Sequence, residues 1–159
     1  MNSAPHGRAT LRIANRIAEM NKVVEFVELF GAGHGLPGTV INDLNLCLDE
    51  ILNNSISYGY DDDAPHHISI SLLTDADAVI AEIEDDAKPF DPRRTKAPAR
   101  QSDDLRSRAA GGLGLHFVNS LMDEVDYDWT GGYNRLRLKK RLHPPADESA
   151  IGRSDDQHC

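Results

Sequence analysis

The sequence predicts an α+β domain, a two-layer sandwich in which a mixed sheet is covered on one face by helices. Three observations predict it. Helical periodicity fills the first part of the chain, period-two alternation begins only near residue 68, and the later strands pair through short turns rather than through regular βαβ alternation. The 159 residues fall within the roughly 100 to 200 that one hydrophobic core usually serves. Residues 10–142 are assigned to this domain and residues 143–159 to a polar, disordered tail.

Taken in order, residues 10–14 read as a first strand. Ile17, Met20, Val24, Val27 and Leu29 follow at spacings suited to an amphipathic helix that Gly31, Gly33 and Gly35 end. From Pro37 to Ser57, the apolar residues Val40, Ile41, Leu44, Cys47, Leu48, Ile51 and Leu52 fit a period of about 3.6 residues, with Tyr58-Gly59 as the stop. Ile68, Ile70 and Leu72 alternate in one strand, and Val79, Ala81 and Ile83 in its neighbour. Residues 87–111 carry three prolines and many charges without periodicity, which marks a long loop. Leu113, Phe117, Val118 and Leu121 suggest a helix over about 113–123. Val125, Tyr127 and Trp129 alternate in a strand, Gly131-Gly132 supplies a hairpin turn, and Leu136 and Leu138 mark the return strand to Leu142.

The composition, 40% hydrophobic and 27% charged, is that of an ordinary packed protein. No apolar run approaches the roughly 20 residues that span a bilayer, and the N-terminus lacks the apolar stretch of a secretory signal, so a cytoplasmic protein without membrane partners is expected. Cys47 and Cys159 form neither a disulfide framework nor a zinc-ligand pattern. A net charge of −9 argues against nucleic acid as a direct partner. The cationic stretch Arg93, Arg94, Lys96, Arg100, Arg106 and Arg108 stands out against it. Asp61-Asp62-Asp63 reads as a solvated loop. Adjacent His66 and His67 would point to opposite faces of a strand, which argues against a metal site.

Three constellations carry chemistry. Glu50 and Asn54, four residues apart on the long helix, project from one face and bring a carboxylate and an amide together. Asp85 stands where an alternating strand gives way to a loop, and a carboxylate there can accept a hydrogen bond from an amine such as that of adenine. Gly111-Gly112-Leu113-Gly114 opens a helix, where glycines permit close approach and free N–H groups attract phosphate.

The order Glu50-x-x-x-Asn54, EDDAKPFDP, GGLGLHFVNSLMDEV and NRLRLKKRL resembles the GHKL ATPase superfamily with its Bergerat ATP-binding fold. Within that superfamily it resembles the compact anti-sigma regulatory factor serine/threonine kinases, over roughly residues 10–142. With no histidine-bearing dimerisation segment upstream, a complete sensor histidine kinase is not expected. The resemblance implies ATP and Mg²⁺ as cofactors, Asn54 as the metal ligand and Glu50 as the catalytic carboxylate. It also implies Asp85 as the adenine-binding residue, Gly112 and Gly114 around the triphosphate, and Lys88 to Gly111 as an ATP lid. Arg106 and Arg108 become candidate phosphate ligands, since a guanidinium forks onto phosphate oxygens.

Two positions depart from the pattern. Ala87 stands where the family has glycine beside the nucleotide, so its methyl is expected to crowd the base or to forbid a positive φ; Tyr58 replaces a usual histidine. The function implied is an ATP-dependent serine/threonine protein kinase that binds and phosphorylates a regulatory partner of the sigma-factor or anti-sigma-antagonist type. The alternatives are a nucleotide-gated binding module without phosphotransfer, and a detached ATP-binding domain serving a phosphatase or response regulator. Homodimerisation is left open.

Overall fold

A computed structural model describes residues 6–94 and 114–143. Its five strands are β1 (Gly7–Ala14), β2 (His67–Thr74), β3 (Ala78–Asp85), β4 (Glu124–Thr130) and β5 (Tyr133–Arg141). They form one sheet in the order β1-β2-β3-β5-β4. The helices are α1 (Met20–Gly33), α2 (Gly38–Tyr58) and α3 (Gly114–Leu121), with short 3-10 turns at Ile17–Glu19 and Pro92–Arg94.

The expected α+β class stands, but the sheet is not mixed: all four described pairings are antiparallel. The reason lies in where the chain re-enters. Asp85 ends β3 directly opposite Asn134 near the start of β5, so the excursion between them leaves and returns at the same end of the sheet. That geometry forces opposite directions. The β2–β3 turn is tied by Asp75 Oδ1, which accepts from the Asp77 and Ala78 N–H groups at 2.7 and 2.9 Å. The β4–β5 turn uses Gly131 and Gly132 at φ 63° and 84°, the pair of left-handed residues that a two-residue hairpin turn demands.

Alternation puts Ile68, Ile70, Leu72, Val79, Ala81, Ile83, Leu136 and Leu138 on one face of the sheet, all buried beneath the helices. From α2, the residues Val40, Leu44, Cys47, Leu48, Ile51 and Leu52 meet them, as the periodicity predicted. Burial pushes the Cys47 thiol up to about 12, so it packs as a small apolar group.

On α1 the predicted stripe is displaced. Val24 and Leu29 are exposed at 40% and 66%, as is Ile17 in the preceding turn, while Val23, Val27, Phe30 and Gly31 are buried. The run VVEFVELF holds two interleaved apolar registers, and packing selects the one that brings in Phe30. The helix continues through Gly31, where an added Cβ would lie 2.5 Å from Ile41 Cδ1. It ends at Gly33, and the φ of 64° at Gly35 lets Leu36 N–H donate back to Gly31 O at 2.9 Å. On α3, similarly, Leu115 and Val118 are buried and Phe117 is 59% exposed.

Candidate functional site

The C-terminal turns of α2, the end of β3, the start of β5, β4 and the first turn of α3 enclose a cavity of about 330 Å³. Ile51, Ile83, Leu115 and Leu136 give it apolar walls, and Asn54, Ser55, Asp85 and Asn134 place polar groups among them. That combination, apolar walls with a few fixed polar groups, is typical of a small-molecule site.

Asp85 follows Val79, Ala81 and Ile83 on the core-facing side of β3, so a carboxylate occupies the next place in an apolar row. It is only 4% exposed. Asp85 Oδ1 accepts from Asn134 Nδ2 at 2.8 Å and from the Ala87 N–H at 3.1 Å, whereas Oδ2 accepts from Ser55 Oγ at 3.3 Å. Burial pushes its carboxyl above the usual range, and the Asn134, Ala87 and Ser55 hydrogen bonds pull it back.

The segment after Asp85 is held from two sides. On the β5 side, Asn134 Nδ2 donates to the Ala87 and Lys88 carbonyls at 3.2 and 3.0 Å. On the other, Lys88 N–H donates to Gly59 O at 2.8 Å. The loop after α2 adds side-chain contacts: Lys88 Nζ meets Asp61 at 2.9 Å, and the His66 ring bridges Asp86 at 2.8 Å and Asp62 at 2.7 Å. Those two carboxylates, Asp86 first, raise the His66 pKa. The aspartate run is exposed, as a solvated loop should be, and from it Asp61 and Asp62 reach the turn that carries Asp85. Among the described residues, no cluster of three or more His, Cys, Asp or Glu side chains could hold a metal ion.

Ala87 is buried at 4% exposure and lines the cavity. A Cβ built on Gly59 would stand 2.7 Å from the Ala87 methyl, so the methyl occupies space left by the missing Gly59 side chain.

The other predicted site residues divide. Asn54 lies on the cavity wall, and its side chain makes no hydrogen bond to another described residue. Glu50, one turn earlier on α2, is exposed and outside the wall. Tyr58 lines the cavity at 48% exposure. Gly114 is the first residue of α3. Arg106, Arg108 and Gly112 lie outside the described residues, as do most of the expected lid and the tail from residue 144.

Sequence reasoning missed Asn134, Ser55, Gly59, Tyr127 and His66. Asn134 had a signal, because it shares strand parity with the buried Leu136 and Leu138. A polar residue in a core-facing position calls for a partner.

A family model described as "Histidine kinase-like ATPase domain" matches residues 13–140. The chain belongs to that family, and the cavity at the end of β3 lies within the matched span.

Within the family it resembles proteins named as serine kinases. It is 32% identical over 103 residues to the serine/threonine-protein kinase BtrW of Bordetella bronchiseptica, a match covering 64% of this chain and 70% of that protein. It is 24% identical over 119 residues to the serine-protein kinase RsbW of Listeria monocytogenes, covering 73% and 76% respectively. The crystal structure of the RsbU and RsbW domains of Rv1364c from Mycobacterium tuberculosis superposes with a TM-score of 0.60 at 19% identity. It covers 90% of this chain, which spans about a third, 34%, of that one, and the likeness shows a shared fold. No described helix is long and apolar enough to cross a membrane.

Proposed function

We propose that this chain is an ATP-dependent serine/threonine protein kinase that binds a small regulatory protein and phosphorylates it. The observation that carries the reading is the buried Asp85 carboxylate at the head of an apolar cavity. An adenine ring fits between Ile51, Ile83, Leu115 and Leu136, with its amine donating to Asp85. Guanine would present a carbonyl oxygen to the same carboxylate and be repelled.

Asn54 offers an amide oxygen from α2 at the cavity wall, a hard donor suited to Mg²⁺, which keeps most of its shell as water and phosphate oxygens. ATP, when bound, supplies the phosphoryl group to be transferred. Gly114, the first residue of α3, and Gly112, two residues before it in the sequence, would present backbone N–H groups to its phosphates, with Arg106 and Arg108 as further ligands. Glu50 lies a helical turn from Asn54, exposed to solvent, where it can orient or deprotonate a hydroxyl arriving on another protein. The acceptor is a serine or threonine, a reading supported by relatives named serine-protein kinases. A partner of the sigma-factor or anti-sigma-antagonist type is the expected recipient, in the cytoplasm.

Ala87, whose buried methyl lines the cavity, favours a second reading, a nucleotide-gated binding module without phosphotransfer. Incubation with labelled ATP, Mg²⁺ and a partner encoded beside this protein separates the two. Label on a partner serine or threonine supports the kinase. ATP-dependent partner binding with no label establishes the module instead.

A further inference from the structure

Register alone puts an amide beside the buried carboxylate, because Asn134 is the β5 residue directly opposite Asp85. Asn134 is 7% exposed, and its side chain is fully used. Nδ2 shares its N–H donors among Asp85 Oδ1, Ala87 O and Lys88 O. Oδ1 accepts from the Phe90 N–H at 3.2 Å and from the Tyr127 hydroxyl on β4. A carboxamide is suited to both tasks at once, since it offers two donors and an acceptor within one planar group.

We propose that Asn134 is the positioning residue for base selectivity: it holds one oxygen of Asp85 so that the other faces the cavity, and it fixes residues 87–90 on the same rung. The inference rests on the adenine reading of the cavity. Asn134 acts on the base only through Asp85, which is why it differs from the residues that would touch the nucleotide.

The chemistry of the alternative state explains the selectivity. A fixed, ionised carboxylate accepts from adenine's amine and repels guanine's carbonyl oxygen. Burial and the neighbouring Asp86 both favour a protonated Asp85, and the Asn134 hydrogen bond is the largest influence opposing them. Among the described residues, the Tyr60 and Tyr127 phenols also feel the Asp85 charge, and His66 is engaged on Asp86. Without Asn134 only the Ala87 N–H and the Ser55 hydroxyl still hold the carboxyl, the largest influence against protonation is gone, and a protonated carboxyl can donate to guanine's oxygen. A residue that merely braced the strands would, when removed, weaken both nucleotides alike.

The test is displacement of a fluorescent ATP analogue by ATP and by GTP from the full-length chain and its variants at fixed Mg²⁺. Asn134→Leu should cut the preference for ATP over GTP by about tenfold or more, the worth of a hydrogen bond to a charged group. Asn134→Thr, whose hydroxyl can still donate to Asp85, should retain most of it. An unchanged preference, an equal weakening of both nucleotides, or a Thr variant no better than Leu would overturn the proposal. Should Asn134→Leu fail to fold, Asn134→Ala carries the test. It removes the N–H donors without adding a competing carboxylate, and should lose the preference too; an intact preference would overturn the idea. A wild type that does not prefer ATP defeats the adenine reading and this inference with it. A preference present in wild type and unmoved in the variants defeats this inference alone.

Discussion

Two carboxylates on neighbouring elements, one lining the cavity and one outside its wall, live in opposite surroundings. Asp85 is buried on the core face of β3 and accepts hydrogen bonds from Asn134, Ala87 and Ser55. Glu50 is exposed on α2 and makes no hydrogen bond or ion pair to another described residue. Under the proposed function, the contrast is a division of labour. A group that recognises one ligand by position is fixed by several partners before the ligand arrives, at the cost of desolvation. A group that meets a hydroxyl carried on a second protein must remain reachable, and it gains its surroundings only when that protein docks.

Substitutions at the two carboxylates should therefore fail in different ways. Glu50→Gln keeps shape and removes basicity, so phosphotransfer should fall by roughly 10² or more while ATP binding stays near normal. Single-turnover assays beside calorimetry measure both quantities, and a parallel loss of binding would erase the proposed contrast. Asp85→Asn should do the reverse and weaken ATP binding by roughly 1.5 to 3 kcal/mol, the usual value of a hydrogen bond to a charged group. If binding survives that change intact, Asp85 is not the base ligand.

The turn that presents Asp85 sharpens the comparison at smaller scale. Gly59→Ala would set a methyl 2.5 Å from Ser55 O and 2.7 Å from the Ala87 methyl, and overpacking of this kind costs about 1 to 3 kcal/mol. Chemical denaturation should show that loss. The double variant with Ala87→Gly should recover part of it, and strictly additive effects would deny the contact.

The smallest effect expected is the pH dependence of the His66 clamp. Its pKa is raised above 6.5 by Asp86 and Asp62, so its contribution is full below 6.5 and is lost as pH rises through the folded value. The penalty of His66→Ala should accordingly be larger near pH 6 than above pH 8. Denaturation of both proteins at the two pH values checks the sign, and an equal penalty at both would remove the charged bridge.

What the sequence revealed follows the same physical line. The long helix was legible because seven apolar residues from Val40 to Leu52 keep one period, and the last hairpin because Gly131-Gly132 tolerates the two positive φ angles that a two-residue turn needs. Asp85 was legible because an acidic residue at the end of an alternating strand has to be explained. The stripe on α1 was misread because two apolar registers overlap, and only packing against the sheet decides between them. The clamp of His66 on Asp62 and Asp86 joins positions that periodicity cannot relate, and the antiparallel course of β5 beside β3 depends on where a long excursion returns. Asn134 is the instructive omission, since its parity with Leu136 was visible while its partner lay 49 residues away.

If the cavity at the end of β3 receives adenine through Asp85, calorimetric titration of the wild-type chain with ATP and GTP in Mg²⁺ will separate the two nucleotides. ATP binding should be saturable and at least about tenfold tighter than GTP binding, as expected when one nucleotide makes a charge-assisted hydrogen bond and the other faces repulsion. Equal affinities for ATP and GTP would rule out this role for Asp85.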